Sequence, residues 1–269
     1  MTIMQDPEWY EAGSGTPLVL VHGFTVSWRI WKPVLPLLEK HHRVIAPTLP
    51  GHVGGLPLKE RASPLSIARA LAEQLRERGI GDAHFAGQSL GGWMVFEMAR
   101  FGLARSALGL CSAGAWRDPA VIEKFVRDGR SALRLLPYLA PVMKLAVNFT
   151  PLRRLALARE MQHGDRMEVE DAREHFARFS KMTILEEFLD EKLEPLQPLP
   201  ADNKVPLRVV WGARDRILPF DDFGQPLLDV LGLDACTVLE DCGHNPMFDD
   251  PQRVANEILD FTREVESGR

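Results

Sequence analysis

The stretch Ala83-His84-Phe85-Ala86-Gly87-Gln88-Ser89-Leu90-Gly91-Gly92 reads as a short strand, a serine set between glycines, and the start of a helix. This is the pattern of a nucleophile elbow. Its sharp turn lifts the Ser89 hydroxyl clear of the backbone, and the glycines two positions before and after let strand and helix pass closely. Gly-x-Ser-x-Gly is of low specificity by itself, so its meaning depends on the partners found elsewhere in the chain.

A serine hydroxyl is a poor nucleophile until a base takes its proton, and the base needs a third group to fix its tautomer. Downstream, Trp211-Gly212-Ala213-Arg214-Asp215 places Asp215 in a loop after the apolar run Leu207 to Trp211. Asp241-Cys242-Gly243-His244-Asn245-Pro246 places His244 in a loop after a run ending near Leu239. Asp241, three residues before His244, is the competing carboxylate. The chain order Ser, Asp, His sets one candidate at each of three strand ends, where open parallel sheets form their ligand crevice. Attack on a carbonyl also needs donors for the developing oxyanion. The Leu90 amide follows the serine directly, and His22-Gly23-Phe24, leaving the run Pro17 to His22, offers the Phe24 amide.

Strand and helix signals alternate on both sides of these motifs, which predicts an α/β fold with a mostly parallel sheet and helices on both faces. Strands are expected at Pro17–His22, His42–Leu49, Ala83–Gln88, Ser106–Cys111, Leu207–Trp211 and Cys236–Leu239. Helices are expected at Trp31–Glu39, Pro64–Arg78, Leu90–Arg100, near Phe223–Leu231, and from Gln252 to about Val265. The alternation lapses between Trp116 and Leu199. There, Ala120–Leu136, Leu139–Asn148, Leu152–Gln162, Val169–Ser180 and Ile184–Leu193 carry helical periodicity, punctuated by Pro137, Pro141 and Pro151. Residues 116–199 are therefore expected to be a helical cap inserted into a core formed by residues 1–115 and 200–269. Residues 117–181 hold 13 basic and 9 acidic side chains, but extending the count to 202 makes it 14 and 15, so charge does not define a substrate.

With 269 residues, 45% of them hydrophobic, the chain can bury one large core. Its net charge of −5 gives no footprint for nucleic acid and no polybasic segment for a membrane surface. The N-terminus lacks a basic region followed by an apolar core, and no run approaches the ~18 apolar residues that span a bilayer. A cytoplasmic protein without membrane insertion is expected. Cys111, Cys236 and Cys242 lack metal-ligand spacing and read as buried small apolar side chains, so no metal is expected.

Taken together, His22-Gly23-Phe24, Pro50-Gly51-His52, Gly87-Gln88-Ser89-Leu90-Gly91-Gly92, Trp211-Gly212-Ala213-Arg214-Asp215 and Gly243-His244-Asn245-Pro246 resemble the α/β-hydrolase fold superfamily, in the group with a helical cap. The resemblance covers nearly the whole chain. It implies a sheet of about eight strands, the triad Ser89, Asp215 and His244, and no cofactor. Relatives with dehalogenase or epoxide-hydrolase activity carry Asp at the nucleophile position, so Ser89 argues against both. Thr48 departs from the Asp that relatives often have there, and Val53 from a frequent Gly. Trp28, Trp116, Leu218 and Met247 are candidate pocket walls, whereas His22 and His52 read as loop-bracing side chains. The expected activity is hydrolysis of a small hydrophobic carboxylic ester, the small molecule being its partner. Alternatives are C–C bond hydrolysis of ring-cleavage products, perhydrolase-like turnover, and a small-molecule receptor with little turnover. Related C–C hydrolases often carry Trp where this chain has Asn245.

Overall fold

A computed structural model of the chain describes residues 7–182, 184–190 and 192–268. Seven strands form one sheet in the order β1-β3-β2-β4-β5-β6-β7. They are β1 (Trp9–Ala12), β2 (Pro17–Val21), β3 (Arg43–Pro47), β4 (Ala83–Gln88), β5 (Ala104–Leu110), β6 (Leu207–Gly212) and β7 (Thr237–Leu239). Every neighbouring pair is parallel except β1 with β3. The α/β class therefore holds, with seven strands among the described residues in place of about eight. β1 was not anticipated because four residues with one antiparallel edge partner carry no buried apolar run.

Side-chain alternation on the strands divides the core into two layers. Val19 and Val21 join Phe85, Ala107 and Val209 on one face, while Leu18 and Leu20 join Ala86, Leu108 and Val210 on the other. Against the first layer pack α2 (Pro64–Glu77) and α3 (Leu90–Arg100), and against the second α1 (Leu35–Leu38) and the C-terminal helix. α2 starts where Ser63 and Ser66 close a reciprocal capping box ahead of Pro64. The helix expected at Trp31–Glu39 is instead a 3-10 turn at Trp28–Trp31 followed by the single turn of α1. Pro33 and Pro36 lack the N–H groups that a continuous helix would use there.

Between β5 and β6 the chain is helical: α4 (Pro119–Ala146), α5 (Thr150–Ala156), a 3-10 turn at Gly164–Arg166, α6 (Val169–Lys181) and α7 (Ile184–Asp190). The two helices expected at Ala120–Leu136 and Leu139–Asn148 are one helix of 28 residues. It runs through both Pro137, where the break was expected, and Pro141, each of which removes one N–H donor from the helical ladder without ending it. Pro151 does act as punctuation, sitting in the first turn of α5. The core resumes with β6, α8 (Gln225–Leu231), β7, α9 (Pro246–Asp249) and α10 (Pro251–Glu266). Among the described residues no helix is long and apolar enough to cross a membrane.

Candidate active site

Parallel register brings the loops of interest to one edge of the sheet. Val21 pairs with Gly87, Gln88 with Leu110, Leu110 with Val210, and Gly212 with Leu239, so the loops after β2, β4, β5, β6 and β7 leave side by side. Ser89 stands between β4 and α3 at φ 56, ψ −118, a left-handed conformation that a residue with a side chain rarely adopts. Its N–H donates to the Leu110 carbonyl and its own carbonyl accepts from Gly92 and Ala113. The glycines around it are required by space: a Cβ on Gly87 would lie 2.1 Å from the Gly91 carbonyl oxygen, and one on Gly91 2.0 Å from the Val21 oxygen.

His244 donates from Nδ1 to Asp215 Oδ2 at 2.7 Å, and both side chains are buried. With Nδ1 protonated, Nε2 keeps its lone pair and can act as a base. The other Asp215 oxygen, Oδ1, accepts the Ile217 and Leu218 amides at 2.8 and 2.9 Å. Those two donors hold the carboxylate in the plane that its bond to His244 needs. The competing Asp241 is solvent-exposed. Gln88, immediately before the serine, donates from Nε2 to the His244 carbonyl at 2.9 Å, tying elbow to histidine loop.

The Phe24 amide is oriented by a histidine. Leu49 N–H donates to His22 Nε2 at 2.8 Å, so the ring proton sits on Nδ1 and is donated to the Gly23 carbonyl at 2.7 Å. In a trans peptide the N–H points opposite to the C=O, so the Phe24 N–H faces away from His22. Burial pushes His22 well below its ordinary pKa, with the neighbouring His52 adding to the effect. The neutral ring thereby keeps both bonds. Gly23 makes room at this point: a Cβ there would lie 2.4 Å from Gln88 Oε1 and 3.0 Å from Ser89 Cβ. Among the described residues, neither the Phe24 nor the Leu90 N–H donates to a protein acceptor.

Cys111 lies beneath this site. Its Sγ accepts the Gly212 amide at 3.3 Å, and one ligand atom each of Cys111, Asp215 and His244 fall within 4.8 Å of one another. Burial, and then the Asp215 charge, push the thiol well above its ordinary pKa, so it stays protonated beside the Asp215–His244 bond. Cys242 is also buried, and Cys236 is half-buried.

The helical segment closes over the oxyanion loop and grips the histidine loop. Phe188 of α7 packs on Phe24 with the rings tilted by 35° and their centroids 4.4 Å apart, and Phe24 meets His52 edge-on at 5.6 Å. Glu160, after α5, accepts Asn245 N–H through its carbonyl at 2.8 Å and Asn245 Nδ2 through its carboxylate at 3.0 Å. His175 of α6 meets the other carboxylate oxygen at 3.1 Å. Burial raises the Glu160 carboxyl, but His175, His244 and Asn245 outweigh it and leave the group below its ordinary value. Desolvation lowers the half-buried His175, but Glu160 outweighs it and holds the ring above its ordinary value. Asp249 accepts Gly243 N–H from the histidine loop and His163 N–H from the helical segment, each at 2.7 Å. Of the residues making these contacts, Asn245 lies in the histidine-loop motif, but no motif in the sequence marks Glu160 or Asp249 as its partners.

The four pocket candidates stand as follows. Trp116 packs edge-on against Trp93 at 6.3 Å on the first core layer. Leu218 is buried behind Asp215, and its carbonyl accepts Trp211 Nε1. Trp28 stacks on Tyr10 at 5.1 Å and, with the fully buried Met247, belongs to the second layer, so both serve core packing. A cavity of ≈ 20 Å³ lies between Ser27 and His175, and a groove of ≈ 560 Å³ between Trp93 and Leu196; none of the four lines either.

Residues 18–257 match the alpha/beta hydrolase family, and the chain belongs to it. It is similar to the epoxide hydrolase EphH of Mycobacterium tuberculosis, 31% identical over 214 residues, 74% of this chain and 94% of the relative. In fold it resembles an esterase from Thermogutta terrifontis, with TM-score 0.72, 24% identity, and 96% and 93% of the two chains covered. A meta-cleavage product hydrolase from Pseudomonas fluorescens gives TM-score 0.67 at 19% identity, covering 96% and 94%.

Proposed function

We propose that this hydrolase cleaves a small hydrophobic carboxylic ester through an acyl-enzyme. Ser89 Oγ attacks the ester carbonyl as His244 Nε2 takes its proton, and the Phe24 and Leu90 amides hold the oxyanion. The C–O bond to the alcohol breaks and His244 returns the proton to the leaving oxygen. Water, deprotonated by the same histidine, then attacks the acyl carbonyl and releases the acid and Ser89. The observation that carries this reading is the Asp215–His244 bond at 2.7 Å on a loop tied to the serine elbow by Gln88.

The likeness to an epoxide hydrolase favours a second reading, and the chemistry of the nucleophile argues against it. A carboxylate that opens an epoxide forms an ester, whose carbonyl water can attack. A serine that opened one would form an ether, which has no carbonyl and would end turnover. Purified protein given a chain-length series of p-nitrophenyl esters should show multiple turnovers. An organophosphonate should label it once per chain, with both properties lost in Ser89→Ala. Ester turnover retained by Ser89→Ala, or hydrolysis of styrene oxide by a protein inert to all the esters, would overturn the assignment.

A further inference from the structure

The helical segment carries an apolar face that the fold leaves uncovered. On α4, Leu135, Tyr138, Leu139, Val142 and Leu145 are all exposed, Tyr138 at 78%. At 3.6 residues per turn these five positions fall within an arc of about 120°. The stripe continues past the turn through Phe149 to Leu152 and Leu155 on α5, the last 73% exposed. Scattered surface leucines are ordinary, but a continuous face along two helices marks an interaction site.

Charge selects its occupant. Between residues 129 and 159 there is no Asp or Glu, and the charged side chains are Arg130, Arg134, Lys144, Arg153, Arg154 and Arg159, a spaced set of cations that is not a polybasic run in the sequence and that helices α4 and α5 gather in space. This stretch belongs to a chain whose net charge is −5. Arg130 is paired with Asp190, Arg154 lies 3.7 Å from Asp165, and Arg153 is buried against backbone carbonyls. Arg134, Lys144 and Arg159 are exposed and, among the described residues, have no carboxylate partner. Exposed apolar side chains flanked by three exposed cations without a carboxylate partner are the pattern of a helix lying in a membrane interface. A second copy of the same face would bring like charges together. We infer that α4 and α5 dock this enzyme on an anionic phospholipid surface, peripherally and without insertion of a spanning helix. Because α5 runs into Glu160, which holds Asn245 beside His244, docking there seats the histidine loop one helix away from the lipid.

Vesicle flotation tests this. Wild-type protein should float with phosphatidylglycerol vesicles at low salt at least tenfold more than with phosphatidylcholine vesicles, and 0.5 M NaCl should release most of it. Val142→Asp with Leu145→Asp, and separately Arg134→Glu with Lys144→Glu, should each lower binding at least tenfold while leaving the melting temperature unchanged. Wild type remaining in the aqueous fraction with phosphatidylglycerol, or binding unaffected by either pair, would overturn the proposal. So would a solution dimer that dissociates in the Val142→Asp, Leu145→Asp variant and binds no vesicles, since the face would then belong to a second copy.

Discussion

Replacing Asp215 by Asn tests the acid–base assignment with almost no change in shape. Two backbone donors, the Ile217 and Leu218 amides, point at Oδ1 and will hold the carbonyl oxygen of the new amide there. Its NH2 group then faces His244 Nδ1, where wild type has an acceptor at 2.7 Å. The imidazole must answer with a lone pair on Nδ1, which moves its proton to Nε2 and removes the base that Ser89 needs. Turning the amide round to restore the original tautomer leaves two N–H groups facing NH2, at about 1–3 kcal/mol each. The active tautomer is therefore disfavoured by about 2–6 kcal/mol, which is roughly thirtyfold to ten-thousandfold in rate. The assay is kcat/KM on p-nitrophenyl butyrate near pH 8, with a thermal melt to verify folding and Asp241→Asn as the control. A folded Asp215→Asn within threefold of wild type would refute the reasoning, and a large loss in the control would move the role to Asp241.

Gly91→Ala puts a Cβ 2.0 Å from the Val21 oxygen and 2.6 Å from that of His22, both backbone, so it should cost about 3 kcal/mol or more in a urea melt. A variant as stable as wild type would show that the elbow can spread. Acid should destabilise the fold through its buried histidines. Burial lowers His52 to about 4 and also pushes His22 well below its ordinary value, whereas an unfolded histidine charges near pH 6.5. Between those values the unfolded chain binds more protons, so stability falls as pH falls from ~6.5 to ~4. His52 alone accounts for ~3 kcal/mol once pH is below both values. His52→Gln should flatten the dependence of melting temperature on pH in that window, and an unchanged slope would remove His52 as a cause.

The parts of the site legible in the sequence are those whose chemistry is local. An elbow needs glycines at fixed offsets from its serine, so Gly87 and Gly91 announce Ser89. Apolar runs of buried parallel strands announce the loops that bear Phe24, Asp215 and His244. Contacts between segments far apart in sequence leave no such mark. Glu160 and Asn245 are 85 residues apart, and neither sits in a motif that names the other. β1 leaves no mark in the sequence because an edge strand pairs on one side only and needs no buried apolar run. Pro137 signals a break between two helices because proline lacks the N–H that the ladder uses, yet α4 continues through it, and a single proline does not tell from the sequence whether a helix will kink or end there.

The grip of Glu160 and Asp249 on the histidine loop has a consequence for how this enzyme can be re-engineered. A helical insertion between two strands looks like an interchangeable module, to be swapped with that of a relative for a new specificity. Here both ends of the Gly243–Asn245 turn are fastened to it or share a carboxylate with it. A graft that keeps this core but brings a foreign insertion would leave the Asn245 amide group and one Asp249 oxygen without their partners. The heritable unit is therefore the insertion together with residues 243–249, and a chimera cut at that boundary is the one that would keep the His244 loop in place.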